Sequence, residues 1–330
     1  MAVFLIGIAE GIFMIFRSVL NDYFQNSSAV FTIPDIDNGF IPQGIDYDPN
    51  TNYFFVTGYM GNGKSSPIYA IEKGSGEVKQ KVLMTTFDGK DFKGHSGGLS
   101  VIKDRLYIAG STDACIYSFR VPDILDAENN SKVSASETIG LKTDDDFIRV
   151  SFTSRNNSIL YGGEYHQSPI FYTHKSHFVN DNGKFQKAYL FGFSLDIDQH
   201  VIPSHVYSIP DKIQGAFFDQ GYLFLSQSNG LLPGRILAYD LSMIEPSGNR
   251  NVLGKDVPLY IISENNAVKI TTIPPMPEEI VVIENHMYIL HEAASNRYLI
   301  GKLLGQKKVY STPIRFFIDT PGKKTLDFEN

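Results

Sequence analysis

The chain has 330 residues, of which 42% are hydrophobic and 13% aromatic, and this composition argues against an intrinsically disordered protein. Its net charge of −7 at pH 7 argues against a nucleic-acid-binding surface, which would be basic. The one cysteine, Cys115, excludes an internal disulfide, and its apolar neighbours predict a small buried side chain within a strand.

The chain begins with an apolar segment of sixteen residues that only Glu10 interrupts. This run is shorter than the roughly 20 residues of a membrane-spanning helix. It also lacks the basic start and the clear cleavage site of a standard signal peptide. An uncleaved signal-anchor, the tail of an export signal and an amphipathic helix lying on the domain are three open interpretations. We predict that residues 1–28 are an export or membrane-anchor segment, with residues 1–20 as a membrane tether, and that residues 29–330 form one domain outside the cytoplasm.

A short β-branched and aromatic string that ends in proline occurs three times, at Val30–Pro34, Val206–Pro210 and Lys269–Pro274. Proline cannot donate a hydrogen bond to a sheet ladder, so each string is typical of the end of a strand. The two later copies end repeats of the size of a propeller blade. The first copy has no repeat before it.

Five repeats follow in chain order, each with a strand A, a tight turn, a strand B and a strand C. The A strands are anchored at residues 44, 98, 149, 215 and 279, which lie 54, 51, 66 and 64 residues apart. The shortest propeller blades have about 40–45 residues, and blades become longer where loops are inserted. The predicted C strands are residues 68–71, 116–119, 189–193, 236–239 and 314–317. The predicted D strands are residues 78–86 and 133–140 in the first two repeats and the proline-terminated strings in the next two.

The fifth repeat supplies strands A, B and C, and then the chain is nearly over. Its fourth strand must therefore be Val30–Pro34, which closes a ring and removes an exposed sheet edge. The sequence predicts an all-β fold, a five-bladed β-propeller closed by the N-terminal strand. Six blades are the alternative, because Lys308–Tyr310 could form an extra strand.

The starts of the A strands and the ends of the B strands meet beside the central channel on one face of a propeller. Polar residues at these positions are candidates for a ligand pocket, the usual hypothesis for convergent polar groups in a concave site. The candidate ligand-binding residues are Gln43, Tyr59, Ser111, Arg149, Glu164, Tyr165, Gln214, Gln227, Glu278 and His291, and the candidate catalytic residues are Glu279, Glu292 and His95. The structural alternative is a water-filled channel in which Arg149 pairs with Glu279 or Glu292.

Several chemistries fit these residue types. Glu279 and Glu292 could share a proton or bind Ca²⁺, and glycosidases also use two carboxylates. His95 could act as a base with Ser96 nearby. Two long insertions, residues 166–187 and 294–313, lie on the same face. The first holds His174, His177 and Asp181 at a spacing that can bind metal, although a solvated loop is the interpretation we favour.

The strings Pro42–Asp48 and Gln214–Phe217 resemble the extracytoplasmic propellers that include gluconolactonase-type, senescence-marker and strictosidine-synthase-like proteins. The resemblance covers most of residues 29–320 as architecture. It implies a propeller fold and a location outside the cytoplasm. These families carry a Pro-Glu-Gly string in which the glutamate is a Ca²⁺ ligand, whereas this chain has Gln43 and Gln214 there. Among the A-strand starts, Glu278-Glu279 alone keeps the acid.

We therefore expect an extracytoplasmic propeller that binds a small polar ligand, such as a sugar or sugar acid, at the top of its channel. Arg149 would contact an anionic group, and Tyr59 and Tyr165 would stack on the ligand. One alternative is a hydrolase or lactonase that uses the channel carboxylates with or without Ca²⁺. Another is a protein-binding scaffold. The sequence predicts no nucleic-acid partner and identifies no particular protein partner.

Overall fold

The computed structural model describes residues 18–181, 183–197, 200–228, 230–298 and 301–318. The described chain is mostly strand, and its five main sheets form a five-bladed β-propeller, as predicted. The strands are β1 (Ser28–Thr32), β2 (Phe40–Asp48), β3 (Tyr53–Met60), β4 (Pro67–Glu72), β5 (Val78–Thr85), β6 (Ser96–Ile102), β7 (Arg105–Gly110), β8 (Cys115–Arg120), β9 (Lys132–Ser134), β10 (Glu137–Gly140), β11 (Val150–Asn156), β12 (Ile159–Glu164), β13 (Val179–Asp181), β14 (Lys184–Gln186), β15 (Ala188–Leu195), β16 (Val201–Ile209), β17 (Ile213–Asp219), β18 (Tyr222–Gln227), β19 (Gly234–Asp240), β20 (Pro246–Val252), β21 (Lys255–Ile261), β22 (Lys269–Ile273), β23 (Pro277–Ile283), β24 (His286–His291) and β25 (Lys308–Pro313).

The helices are short and lie outside the sheets. They are α1 (Asn21–Gln25), α2 (Val121–Leu125), α3 (Gly301–Leu304) and α4 (Arg315–Ile318). Four 3-10 turns cover Ile36–Asn38, Lys175–His177, Leu241–Met243 and Glu264–Asn266. No helix in the described ranges is long and apolar enough to cross a membrane.

The first four strands of each blade are antiparallel, and the first of them lies nearest the axis. The added strands β9 and β21 pair in parallel with blades I and III. Blade I is β2-β3-β4-β5 with β9 at its edge, and blade II is β6-β7-β8-β10. Blade III is β11-β12-β15-β16 with the hairpin β20-β21 added at its edge. Blade IV is β17-β18-β19-β22, and blade V is β23-β24-β25-β1. The propeller therefore has two blades that are wider than four strands.

The N-terminal strand closes the ring. Strand β1 pairs antiparallel with β25, with Phe31 opposite Val309, and the Ile33 N–H donates to the Lys307 carbonyl at 2.9 Å. Phe31 is buried, and its ring lies 5.3 Å from that of Phe54 in blade I. The predicted closure is confirmed, and each of the three proline-terminated strings ends its strand one or two residues before the proline.

The prediction is wrong at two strands. Residues 314–317, predicted as the third strand of blade V, form α4 instead, and the third strand is β25. The residues that suggested a sixth blade belong to the fifth, because β25 pairs antiparallel with β24. Phe317 is buried in the core from α4 and takes no part in a ladder. Residues 133–140 are also two strands, since β9 pairs with blade I and β10 alone is the fourth strand of blade II.

The turns and the core follow from residue type. At the hairpins of blades IV and V, Gln220 and Gly221, and Glu284 and Asn285, all have positive φ, the conformation that a tight two-residue hairpin requires. The core lies between blades, where alternate aromatic and β-branched side chains meet. Tyr161 of blade III stacks on Phe218 of blade IV at 4.3 Å, for example.

The start of the described chain packs on blade V. Tyr23 in α1 is buried and contacts the rings of Tyr310 and Phe316, with centroid distances of 6.4 Å in both cases. The predicted export or anchor segment falls largely on residues 1–17, which lie outside the described residues.

Candidate functional site at the channel mouth

A β-bulge at the start of every first strand positions the channel residues. The pairing with the second strand shifts register between Pro42 and Gly44, Ser96 and Leu99, Val150 and Phe152, Ile213 and Gly215, and Pro277 and Ile280. A bulge bends its strand and re-aims a side chain. Small residues let these strands approach the axis: a Cβ on Gly97 would lie 2.0 Å from the Ser151 carbonyl oxygen. The bulges thus bring residues 43, 214, 278 and 279 together.

The centre of the channel mouth is a pair of buried carboxyl groups, Glu278 and Glu292, which we call the acid pair. Glu278 is 2% exposed and Glu292 is 7% exposed, and their side chains hydrogen-bond to each other. Gln214 donates to Glu278 at 3.0 Å, and Gln43 donates to Glu292 at 3.1 Å. The hydroxyl of Tyr298 donates to the second oxygen of Glu292 at 2.9 Å.

The acid pair holds a proton near neutral pH. Burial, with the negative charge of Glu292, raises the pKa of Glu278 well above its usual range. Burial also raises the pKa of Glu292 to about 7, against hydrogen bonds that favour its charged form. Two carboxyls this close cannot both ionise easily. Glu278 is therefore the donor and Glu292 the acceptor.

Half-buried side chains and the exposed Arg297 extend from the acid pair across the mouth. The Arg297 guanidinium lies over the rings of Tyr298 and Tyr59, at 5.6 and 5.7 Å, and donates to the Tyr59 hydroxyl. The ring of His95 lies 4.7 Å from that of Tyr59, and the Ser111 hydroxyl is 3.3 Å from His95 Nδ1. These contacts form a continuous polar and aromatic rim.

Two further predicted residues adjoin this rim. Tyr165 is half-buried, and burial together with the negative charges of Glu278 and Glu292 raises its pKa. Its hydroxyl donates to Gln167 at 2.7 Å. Burial lowers the pKa of His95 to about 4, so its imidazole is neutral. His95 contacts Ser111 rather than Ser96, whose hydroxyl donates to the Gly58 carbonyl at 2.8 Å. The predicted pairing of His95 with Ser96 is wrong.

Glu279 lies deeper in the channel and joins three blades. Its Oε2 accepts the N–H groups of Ile45 at 2.9 Å and Leu99 at 2.7 Å. Its Oε1 is buried and has no hydrogen-bond partner among the described residues. Burial raises the pKa of Glu279 well above its usual range. These contacts indicate a structural role.

The ion pair across the channel joins Arg155 and Asp46, which were not among the candidate residues. Arg155 donates to both oxygens of Asp46, at 2.8 and 3.2 Å, and Asp46 is 2% exposed. Arg149 is exposed instead, beside the ring of Phe147, and among the described residues it pairs with neither Glu279 nor Glu292. The predicted pairing of Arg149 with a channel glutamate is wrong.

Three predicted residues point elsewhere. Gln227 bonds to the Asp211 carbonyl and to Arg235, beside a cavity of about 230 Å³ outside the mouth. His291 is fully buried, lies 3.1 Å from the Pro275 carbonyl, and has a pKa lowered to about 4 by burial. Glu164 is fully buried and bonds to His177 at 2.9 Å.

His177 lies between two carboxyl groups. Its Nδ1 faces Glu164, and its Nε2 lies 3.1 Å from Asp146 Oδ1. Burial disfavours the imidazolium, but the two carboxylates outweigh it and raise the pKa of His177 to about 9. His174 also contacts Asp146, at 3.2 Å. The buried His177 contradicts the solvated loop that the sequence favoured, and its described acidic partners are Glu164 and Asp146.

Comparison with known proteins identifies no family for this chain. No family model matches the chain, and no curated protein is significantly similar in sequence. Among solved structures, the glutaminyl cyclase of Myxococcus xanthus matches with a TM-score of 0.47 at 11% identity, over 89% of this chain and 97% of that one. A luciferin-regenerating enzyme matches with a TM-score of 0.43 at 9% identity, over 86% and 92%. We draw no conclusion about activity from similarities this distant.

Proposed function

We propose that this propeller binds a small polar carbonyl compound at its channel mouth and that the acid pair catalyses hydrolysis of that compound, as in a lactonase. The observation that carries the proposal is the burial of Glu278 and Glu292 together at the mouth, with Gln214 donating to the first and Gln43 to the second. Burial raises the pKa of both carboxyls. A group with a pKa near the operating pH is an efficient general acid or base. Glu292, with a pKa of about 7, meets this condition.

The acid pair can move protons in both directions. Glu292 would take the proton of an attacking water, while Glu278 would donate its proton to the carbonyl oxygen as the C–O bond forms. Opening of a lactone then needs one proton on the leaving oxygen, which Glu292 returns. The proton on Glu278 is restored when the tetrahedral intermediate collapses. Water is thus consumed, one ester bond is broken, and the pair ends as it began.

The spacing of the pair argues against a glycosidase. Glycosidases keep their two carboxyls at least about 5 Å apart so that a sugar or a water fits between them. Here the two carboxyls bond directly to each other. A directly bonded pair suits attack on a carbonyl, where one group donates and its neighbour accepts.

The rim supports a polar and partly anionic ligand. Gln214, Tyr59 and Tyr165 are half-buried and can contact hydroxyl groups or a sugar ring. Arg297 is the exposed cation of the rim, so we assign to it the anionic contact that the sequence analysis gave to Arg149.

Calcium does not fit these residues well. Ca²⁺ takes about 6–8 oxygen ligands. The acid pair with Gln43 and Gln214 offers four side chains, and a cation would have to displace the shared proton. Glu279 is already committed to two N–H donors. We therefore route no step through calcium.

The test uses the full chain and a panel of aldonolactones, aldoses and aldonic acids, each with Ca²⁺ or with EDTA. A ligand at about 100 times its Kd raises the free energy of unfolding by about 2.7 kcal/mol. We expect a lactone to shift the melting temperature and to be hydrolysed equally in EDTA, with a rate that depends on a group of pKa near 7.

Two variants complete the test. Glu292→Gln keeps the shape of the pair but removes the base, so it should bind the lactone and lose turnover. Glu284→Gln, on the exposed hairpin of the same blade, is the matched control and should keep both. Equal turnover in Glu292→Gln and wild type would contradict the acid–base role. A panel with neither shifts nor turnover would overturn the substrate class and favour the protein-binding scaffold.

We also propose, from the sequence, that the protein lies outside the cytoplasm and is tethered through residues 1–20. Fractionation of cells that express the full chain with a C-terminal tag tests this. Recovery of the intact chain in the soluble cytoplasmic fraction would contradict both statements.

A further inference from the structure

Three potential metal ligands converge at the end of blade III where β11 begins and β12 ends, and none of them belongs to the acid pair. They are Asp146, which precedes β11, and His174 and His177, which flank and end the 3-10 turn of the first long insertion. We call them the His-Asp cluster. Asp146 Oδ1 lies 3.1 Å from His177 Nε2 and 3.2 Å from His174 Nδ1, and all three atoms lie within 4.8 Å of one another.

Two of these separations are close to those of a tetrahedral zinc site. Zinc binds imidazole nitrogen and carboxylate oxygen at about 2.0–2.1 Å, so neighbouring ligands of a tetrahedron are separated by about 3.3 Å. The two measured separations, 3.1 and 3.2 Å, are close to that edge. Two histidines and one carboxylate leave the fourth position open. The 32% exposure of the His174 side chain shows that this position can reach solvent.

A fully buried carboxylate supports the buried histidine. Glu164 accepts from His177 Nδ1 at 2.9 Å, which leaves Nε2 directed at Asp146. Metal-binding histidines almost always donate their other ring nitrogen to a carboxylate, carbonyl or water in this way. The Tyr189 N–H also donates to Glu164, at 3.2 Å, and the Tyr189 ring stacks on His177 at 5.0 Å. The orientation of His177 is therefore fixed by its surroundings.

The other two ligand atoms, Asp146 Oδ1 and His174 Nδ1, have few hydrogen-bond partners outside the cluster among the described residues. Asp146 Oδ1 is buried without a hydrogen bond of good geometry. His174 Nδ1 lies 2.7 Å from the Ser176 hydroxyl and 3.4 Å from the Ser176 N–H. A cation on His174 Nδ1 would replace both contacts with Ser176, the hydroxyl by rotation about its own bond and the long N–H contact by a small movement of the ring. The imidazole-rich ligand set favours zinc over the harder cations Ca²⁺ and Mg²⁺.

We propose that Asp146, His174 and His177 bind one Zn²⁺ ion, with Glu164 as the carboxylate that orients His177 and with one coordination position open to solvent. The ion would fasten the first insertion, residues 166–187, to the loop that enters blade III. This inference does not depend on the acid pair or its chemistry.

The test measures metal binding directly. Full-length protein is treated with chelator, and Zn²⁺ binding is then followed by calorimetry. Co²⁺ is substituted to record the visible d–d bands of a four-coordinate site. We expect one Zn²⁺ per chain and an intense Co²⁺ spectrum. Asp146→Asn and His174→Gln should abolish both, and Glu164→Gln should weaken Zn²⁺ binding by about 10–100-fold.

The matched control is His200→Gln. His200 is exposed and pairs with Asp196 at 3.2 Å, so it is a His–Asp contact outside the cluster, and its loss should change nothing. Thermal melts without metal establish that each variant is folded. Unchanged Zn²⁺ affinity in Asp146→Asn and His174→Gln would overturn the proposal. Absence of binding to the wild type would also overturn it and leave His177 as an ionised bridge between two carboxylates.

Discussion

Replacing Glu279 tests whether it holds the blades together. Glu279→Ala removes the one oxygen that accepts from both Ile45 and Leu99. Each buried N–H left without an acceptor costs about 1–3 kcal/mol. The two together should lower the free energy of unfolding by about 2–6 kcal/mol, before any cavity is counted. That loss is a large part of the roughly 5–15 kcal/mol of an ordinary domain.

Glu279→Gln is the matched variant. Its carbonyl oxygen can take the place of Oε2 and keep both hydrogen bonds, while its amide group takes the place of Oε1, which has no partner in the described part of the chain. We expect its stability at low pH to be close to that of the wild type. Both variants thus lack the carboxyl group, but only Glu279→Gln keeps an oxygen that can accept the two N–H groups.

The carboxyl of Glu279 also predicts a pH dependence. Its folded pKa is raised, so above about pH 4.5 the folded state keeps a proton that the unfolded state has lost. Stability is then present at low pH and is lost as pH rises towards the folded pKa. One proton corresponds to about 1.4 kcal/mol per pH unit. Glu279→Gln should flatten the wild-type slope by this amount.

The assay is urea unfolding of the full chain at several pH values between 5 and 8, followed by far-ultraviolet circular dichroism. The reasoning is refuted if Glu279→Ala unfolds at the wild-type urea concentration. It is equally refuted if Glu279→Gln and the wild type lose stability in parallel as pH rises.

Three more predictions use the same unfolding assay. Asp46→Asn should lower the free energy of unfolding by about 3–5 kcal/mol, because it leaves the Arg155 charge without its buried partner. Adding Arg155→Met should restore part of that loss. A double variant that is no more stable than Asp46→Asn would contradict this. His291 has a folded pKa of about 4, so the free energy of unfolding should fall as pH drops from about 6.5 towards 4. His291→Asn should reduce the slope of that fall by up to one proton. An unchanged slope would mean that other groups cause the loss of stability in acid. Phe31→Ala should lower the free energy of unfolding by about 3–5 kcal/mol, because the buried ring belongs to β1, which closes the propeller. An unfolding midpoint equal to that of the wild type would mean that the closure contributes little.

The repeated pattern of strands made the architecture predictable. Proline after Ile209 and Ile273 marked the ends of blades III and IV, and the matching string at Val30–Pro34 identified the strand that closes blade V. Local alternation of apolar residues was enough for this, since each blade is built from contacts between neighbouring strands. The prediction was wrong at residues 314–317, where an apolar run forms a short helix that packs on the core. The pattern of apolar residues in so short a run does not distinguish a helix from a strand.

The candidate site was predictable only in part. Gln43, Gln214, Glu278 and Glu292 were identified by their positions at strand ends, and the structure brings them into contact. Arg149 and Gln227 occupied equivalent positions and are directed elsewhere.

What the sequence alone determined is the propeller architecture, with five blades predicted and six as the alternative, the strand that closes the ring and the group of polar residues near the axis. These depend on spacing along the chain and on residue type. Only the tertiary structure decided that Glu278 bonds to Glu292, that Glu279 accepts two backbone N–H groups, and that Asp146 meets His174 and His177. The physical reason is that a bulge of one residue turns a side chain towards or away from the axis. Partners in different blades, such as Gln43 and Glu292, which are 249 residues apart, are brought together by the closed ring and cannot be identified from the local sequence.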